Sequence, residues 1–253
     1  MLFLALLLII GCVSARPGSR IAGGTPLTPG ELPYLASVQL HSLNAWYHLC
    51  GGALISETRV LTAAHCISGI AADYRVVLGE HSLSLVDGTE QFIRVLNYIV
   101  YPDYNGNAVG FPNDIAIIHL SEHADTNSSA ISIIPLADHG ADFTGVDCTI
   151  SGWGSSTGSV ELKDTPSKAT FTAISHAACV GLWAAVPNTL IYPSHVCMLG
   201  TAVEAACHYD NGGPMVCNGV LVGVFSWGES SCQGTLPSVM SSVPFFHHWI
   251  INH

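Results

Sequence analysis

Three short segments carry the side chains best suited to chemistry. Leu61-Thr62-Ala63-Ala64-His65-Cys66 presents an imidazole, and Asn113-Asp114-Ile115-Ala116-Ile117-Ile118 presents a carboxylate at the head of an apolar run. Cys207-His208-Tyr209-Asp210-Asn211-Gly212-Gly213-Pro214 is a glycine-rich turn with a second carboxylate and an amide. An imidazole takes up and returns protons near neutral pH, and a carboxylate can orient it. Asn211 has no comparable use as a nucleophile. Its amide nitrogen lone pair is delocalised into the carbonyl, and it has no proton whose removal near neutral pH would leave a reactive anion. Asn211-Gly212 is also a flexible turn-type pair. Slow deamidation there would give a carboxylate, still without a hydroxyl.

The elements that must position these groups read as strands. Short apolar, β-branched runs recur at 34–40, 52–55, 74–78, 91–95, 115–120, 148–151 and 220–227. Turn pairs such as Asp87-Gly88, Asn105-Gly106 and Asn218-Gly219 separate them. Regular strands without helical partners predict an all-β barrel or sandwich. At the C-terminus Phe246, Trp249 and Ile250 fall at helical spacing, which predicts a helix over 243–252.

The first ten residues are an apolar run too short to span a bilayer comfortably, and Val13-Ser14-Ala15 fits a small-residue cleavage pattern. The expectation is a signal peptide over 1–15, a short propeptide over 16–20 and one domain over 21–253. Removing the leader removes Cys12 and leaves eight of the nine cysteines, an even count that reads as disulfides in an oxidising, extracellular compartment. Beyond Arg20 there are 18 acidic residues against Arg59, Arg75, Arg94, Lys163 and Lys168, a formal charge of −13. That balance argues against nucleic acid or anionic membrane as a partner and leaves a protein partner as the expectation. All 13 histidines lie beyond Arg20 as well, so mild acid would cancel much of the charge. His247, His248 and His253 invite a metal reading. Adjacent His247 and His248 point about 100° apart on a helix, however, and no aligned carboxylate or cysteine completes a set. No metal and no cofactor is assigned. Asn127-Ser128-Ser129 is a glycosylation sequon in a polar stretch.

Together these motifs resemble the chymotrypsin-like (S1) serine protease family over nearly all of 21–253. The segments around His65 and Asp114 are similar to those carrying the family's general base and its buried aspartate. Arg20-Ile21-Ala22-Gly23-Gly24 is similar to the activation site, and Ser151-Gly152-Trp153-Gly154 and Ser226-Trp227-Gly228 match two further signatures. The resemblance implies two six-stranded antiparallel β-barrels with the site between them and a C-terminal helix. It also implies the pairs Cys50–Cys66, Cys148–Cys217, Cys179–Cys197 and Cys207–Cys232. The family carries Gly-Asp-Ser-Gly-Gly-Pro where this chain has Tyr209-Asp210-Asn211-Gly212-Gly213-Pro214, so the nucleophile position holds Asn211 and the oxyanion-hole glycine position holds Tyr209. A tyrosine there is expected to bring a bulky ring to the cleft and turn the peptide away.

In the specificity pocket, the resemblance places Ala205 where trypsin-like members carry an acid. Ser226, Trp227 and Gly228 form the wall, and Ser238 and Met240 replace a glycine and an aromatic. A neutral, narrowed pocket for an apolar side chain follows. Glu204 lies nearby in sequence. For activation, cleavage after Arg20 would free the Ile21 amine to pair with Asp210, with Ser37 and His48 at the positions that hold that aspartate beforehand. The expected function is a secreted serine protease homologue, proteolytically inactive and acting by protein binding or regulation. The alternatives are a weakly active endopeptidase with an apolar preference and an extracellular storage or structural protein.

Overall fold

Alternation of apolar and polar residues, interrupted by glycine turns, makes strands that can each bury one face, and the chain rolls them into two closed barrels. The computed structural model describes residues 24–154, 162–200 and 206–253. A two-residue strand β1 (Thr25–Pro26) precedes the first barrel. That barrel comprises β2 (Leu35–Ser42), β3 (Ala45–Ser56), β4 (Arg59–Thr62), β5 (Tyr74–Leu78), β6 (Gln91–Val100) and β7 (Ala116–Leu120), closed in the order β2-β3-β4-β7-β6-β5. The second comprises β8 (Asp147–Gly152), β9 (Ser167–Ile174), β10 (His195–Leu199), β11 (Pro214–Cys217), β12 (Val220–Trp227) and β13 (Ser238–Ser242). Its order is β9-β10-β13-β12-β11-β8, and β8 pairs back onto β9 to close it, while β1 lies outside against β9. Every pairing between the named strands is antiparallel.

Closure removes the unpaired edges that an open sheet would expose. The first barrel is filled by Val38, Leu54, Leu61, Val76, Ile93, Ile117 and their neighbours, all buried. Ile150, Phe171, Met198, Met215, Phe225 and Met240 fill the second. Helix α1 (His176–Trp183) leads into β10, and helix α2 (Val243–Asn252) ends the chain. Ser242 caps α2, its Oγ accepting from the Phe245 N–H at 3.3 Å. The helix buries Val243, Phe246 and Ile250 against the first barrel, where Tyr101 meets Phe246 and Trp249 edge-on. It thus clamps one barrel to the other.

The four pairs Cys50–Cys66, Cys148–Cys217, Cys179–Cys197 and Cys207–Cys232 are all present. Among the described residues no helix is long and apolar enough to cross a membrane. The leader, the propeptide and Arg20-Ile21 lie outside the described residues, as do Glu204 and Ala205.

Candidate active site

His65 sits in a single 3-10 turn, Ala64–Cys66, directly after β4, and the Cys50–Cys66 bridge ties that turn to β3. Asp114 lies just before β7, the neighbour of β4 in the first barrel. The strand pairing therefore brings the two together. Asp114 is fully buried and accepts the His65 backbone N–H on Oδ1 at 2.8 Å and His65 Nδ1 on Oδ2 at 2.6 Å. Ser226 Oγ donates to the same Oδ2 at 2.5 Å, and Ser241 Oγ donates to the Asp114 carbonyl at 2.6 Å. With Nδ1 committed to the carboxylate, His65 Nε2 is left as the proton-accepting atom. A buried carboxylate so bound both orients the imidazole and stabilises its protonated form.

The turn opposite comes from the second barrel. Asn211 lines the same cleft as His65. Its carbonyl accepts the Gly51 N–H from β3 at 2.7 Å, which stitches the two barrels together at the site. Gly212 has φ +75°, and a Cβ there would lie 2.3 Å from Thr62 Oγ1 and 2.5 Å from the Gly51 carbonyl, so only glycine fits. The Gly212 N–H donates to the Phe225 carbonyl at 2.8 Å, and the Gly213 N–H to the Asp210 carbonyl at 2.9 Å.

Tyr209 lies in the turn that precedes Asp210. It takes the left-handed conformation that glycine would favour, with φ +72°, and its carbonyl accepts His48 Nε2 at 3.3 Å. Its side chain is not among those lining the cleft. Among the described residues neither the Tyr209 nor the Asn211 N–H donates to a protein acceptor. Backbone donors at such a turn are the kind of group that stabilises a developing oxyanion. Tyr209 carries local strain there, of the kind that persists when the surroundings over-determine a backbone.

Asp210 is fully buried. Its Oδ1 accepts the Gly154 N–H at 2.9 Å and its Oδ2 accepts the Cys207 N–H at 3.0 Å. Burial pushes its carboxyl up to about 7, against these two amides. His48 and Ser37 do bond to each other, Nδ1 to Oγ at 2.8 Å, but the Asp210 carboxylate bonds to neither. Burial holds the His48 imidazole down at about 4, so it is neutral, and Nε2–H donates to Tyr209.

The cleft has a volume of about 300 Å³ and is lined by His65, Phe111, Asn211, Phe225, Trp227 and Glu229 among others. Ser226 and Gly228 also face it. Ser238 is buried in β13 next to Gly228, and a Cβ added to Gly228 would lie 3.8 Å from Ser238 Cα. Met240 is likewise fully buried in the second barrel. Sequence reading placed Ser238 at a wall-glycine position and Met240 at an aromatic position, and both lie in β13. It also missed Glu229, whose half-buried carboxylate stands on the cleft wall, bonded by Thr235 Oγ1 at 2.7 Å. A second groove of about 310 Å³ continues past Trp227 to Trp183, Asn188 and Leu236. Asn127 is exposed, its amide held by Asp125 Oδ1 at 2.6 Å.

Two closed antiparallel barrels with a histidine–aspartate pair at their junction define the trypsin-like class. The trypsin family model matches residues 21–250, and the chain belongs to that family. It is 35% identical over 257 residues to a chymotrypsin-like serine proteinase of Haliotis rufescens, covering 97% of this chain and 98% of that one. It is 36% identical over 248 residues to chymotrypsin-like elastase family member 1 of Bos taurus, covering 92% and 89%. Trypsin of Xenopus laevis matches at 36% over 255 residues, covering 100% and 98%.

Proposed function

We propose that this chain is a secreted, non-catalytic member of the trypsin family that acts by binding a protein segment in the cleft between its barrels. The observation that carries the reading is Asn211, which faces the cleft beside His65 where the chemistry needs a hydroxyl. Attack on a peptide carbonyl requires an oxygen or sulfur nucleophile whose proton His65 can take, and a carboxamide supplies none. In a convergent serine protease, loss of the nucleophile alone costs roughly two-million-fold in turnover. The surrounding machinery supports binding: an ordered imidazole, two backbone donors, and an apolar groove past Trp227 that can take an extended peptide.

Secretion and activation belong to the same reading. Residues 1–15 direct export, and cleavage after Arg20 frees the Ile21 amine. Asp210 is a buried carboxylate in need of a counter-charge, and that amine is its partner. The protein partner is a protease, an inhibitor or another extracellular protein whose exposed loop presents an apolar side chain.

The intact His65–Asp114 pair, beside amides that have no protein acceptor among the described residues, favours one second reading, slow hydrolysis through a directly activated water. Peptide turnover by the chain cleaved after Arg20 separates the two. The binding reading expects wild type and His65→Ala to be equally inert. Turnover that His65→Ala abolishes would overturn it in favour of the enzyme.

A further inference from the structure

The fold brings together two histidines that lie 109 positions apart in sequence. His139 lies in the connection between β7 and β8, and His248 lies on helix α2; both are exposed. Their ring centroids are 4.3 Å apart, tilted by 40°. His139 Nδ1 is spent on the Pro244 carbonyl at 3.2 Å, which fixes its tautomer and leaves Nε2 with a free lone pair. A backbone carbonyl on the far nitrogen is the arrangement that orients histidines in metal sites. The His248 side chain makes no hydrogen bond among the described residues, so its ring is free to turn an edge toward its neighbour.

From this juxtaposition we propose that His139 and His248 together bind one divalent transition metal ion, Zn²⁺ being the representative case. Imidazole nitrogen suits zinc, copper and nickel. Two Nε2 atoms at bond lengths of about 2.0–2.1 Å close half of a tetrahedral shell, and water completes it. His247 is not a ligand in this arrangement: its Nδ1 donates to the Ala137 carbonyl at 2.8 Å, and its ring stands 6.0 Å from His248 at 87°. It holds the loop bearing His139 against the helix. The net negative charge of the chain favours a cation at any exposed site. The two other clusters of candidate ligands among the described residues, Cys50–His65–Cys66 and Cys207–His208–Cys232, have both sulfurs locked in disulfides and cannot bind as thiolates. Because the ion would join the β7–β8 connection to the terminal helix, binding should stiffen the clamp between barrels. The site is remote in sequence from the cleft residues and independent of what the cleft does.

The test is equilibrium dialysis of Zn²⁺ alone against the untagged full chain, with His139→Ala, His248→Ala and His123→Ala alongside. His123 is the control because it forms an exposed pair with Glu57 at 3.0 Å, a competing place for a metal. One saturable site per chain is expected, weakened about tenfold or more by either His139→Ala or His248→Ala. His123→Ala should bind as wild type does. Thermal unfolding without metal confirms that each variant is folded, and His139→Gln replaces any that is not. Absence of a saturable site, wild-type affinity in either His139→Ala or His248→Ala, or loss in His123→Ala would each overturn the assignment.

Discussion

At the scale of single residues, Tyr209 and Asn211 present two different departures. Asn211 changes chemistry and leaves geometry alone: its carbonyl still ties β3 to the second barrel, and Gly212 beside it keeps its tight turn. Tyr209 changes energy and leaves the backbone path alone. A side chain at φ +72° carries the cost of the left-handed region, about 1–2 kcal/mol, partly offset by the greater entropy glycine would lose on folding. Tyr209→Gly is therefore expected to stabilise the chain by about 0.5–1 kcal/mol. The readout is the midpoint of urea unfolding, and an unchanged or lowered midpoint would contradict the strain. The Asn211-Gly212 pair is also better protected than its sequence implies. Deamidation needs the Gly212 nitrogen to attack the asparagine side chain, and that N–H is held by the Phe225 carbonyl.

Among the elements, β3 and the turn before β11 approach each other closely. A Cβ on Gly51 would lie 2.8 Å from Gly213 Cα, backbone that cannot swing aside. Gly51→Ala is expected to cost about 1–3 kcal/mol, the range for overpacking. For a chain of this size each kcal/mol lowers Tm by about 2–4 °C, so a scan suffices. An unchanged Tm would mean that the two barrels meet elsewhere. Strands with continuous apolar or β-branched runs, such as β2 and β12, and β6 with its alternation over 91–95 were legible in the sequence, as was α2 from its apolar spacing. β13 was not, because Ser-Val-Met-Ser-Ser is buried throughout and carries serines that look like loop. One of them, Ser241, bonds the Asp114 carbonyl, so the polar residue that hid the strand is there for the site. β9 was overlooked although its buried and half-exposed residues alternate cleanly, because Lys and Thr occupy the outer face. Helix α1 has almost no amphipathic pattern to find. His65, Asp114 and Asn211 were readable from local motifs. Ser241 and Glu229 depend on how distant strands and loops meet, which spacing alone cannot show.

For the whole molecule, buried ionisable groups set the response to pH. Burial holds His48 and His195 down at about 4, while it pushes Asp210 and Glu80 up to about 7. Between about 6.5 and 4 the unfolded chain binds protons at both histidines that the folded chain refuses, so they withdraw stability as pH falls through that window. The two carboxyls act oppositely. Folded, they keep protons that the unfolded chain releases between about 4 and 7, so they withdraw stability as pH rises. The opposed pairs flatten the profile of the wild type. His195→Gln removes one of the two histidine contributions, so acidification from pH 7 to 4 should cost the variant less than it costs wild type. Unfolding free energies at a series of pH values test this, and parallel profiles would contradict it. The same burial means that these two histidines do not help to cancel the negative charge of the surface in mild acid.

The proposed silencing at the nucleophile position is most directly tested by Asn211→Ser in the chain cleaved after Arg20. The measurement is covalent labelling by an organophosphonate, with wild type and Asn211→Ser/Tyr209→Gly in parallel. Wild type should stay unlabelled while Asn211→Ser reacts at the new hydroxyl. Labelling of wild type would show an active site and contradict the proposal, and failure of both variants to label would show that the nucleophile position does not by itself set its reactivity.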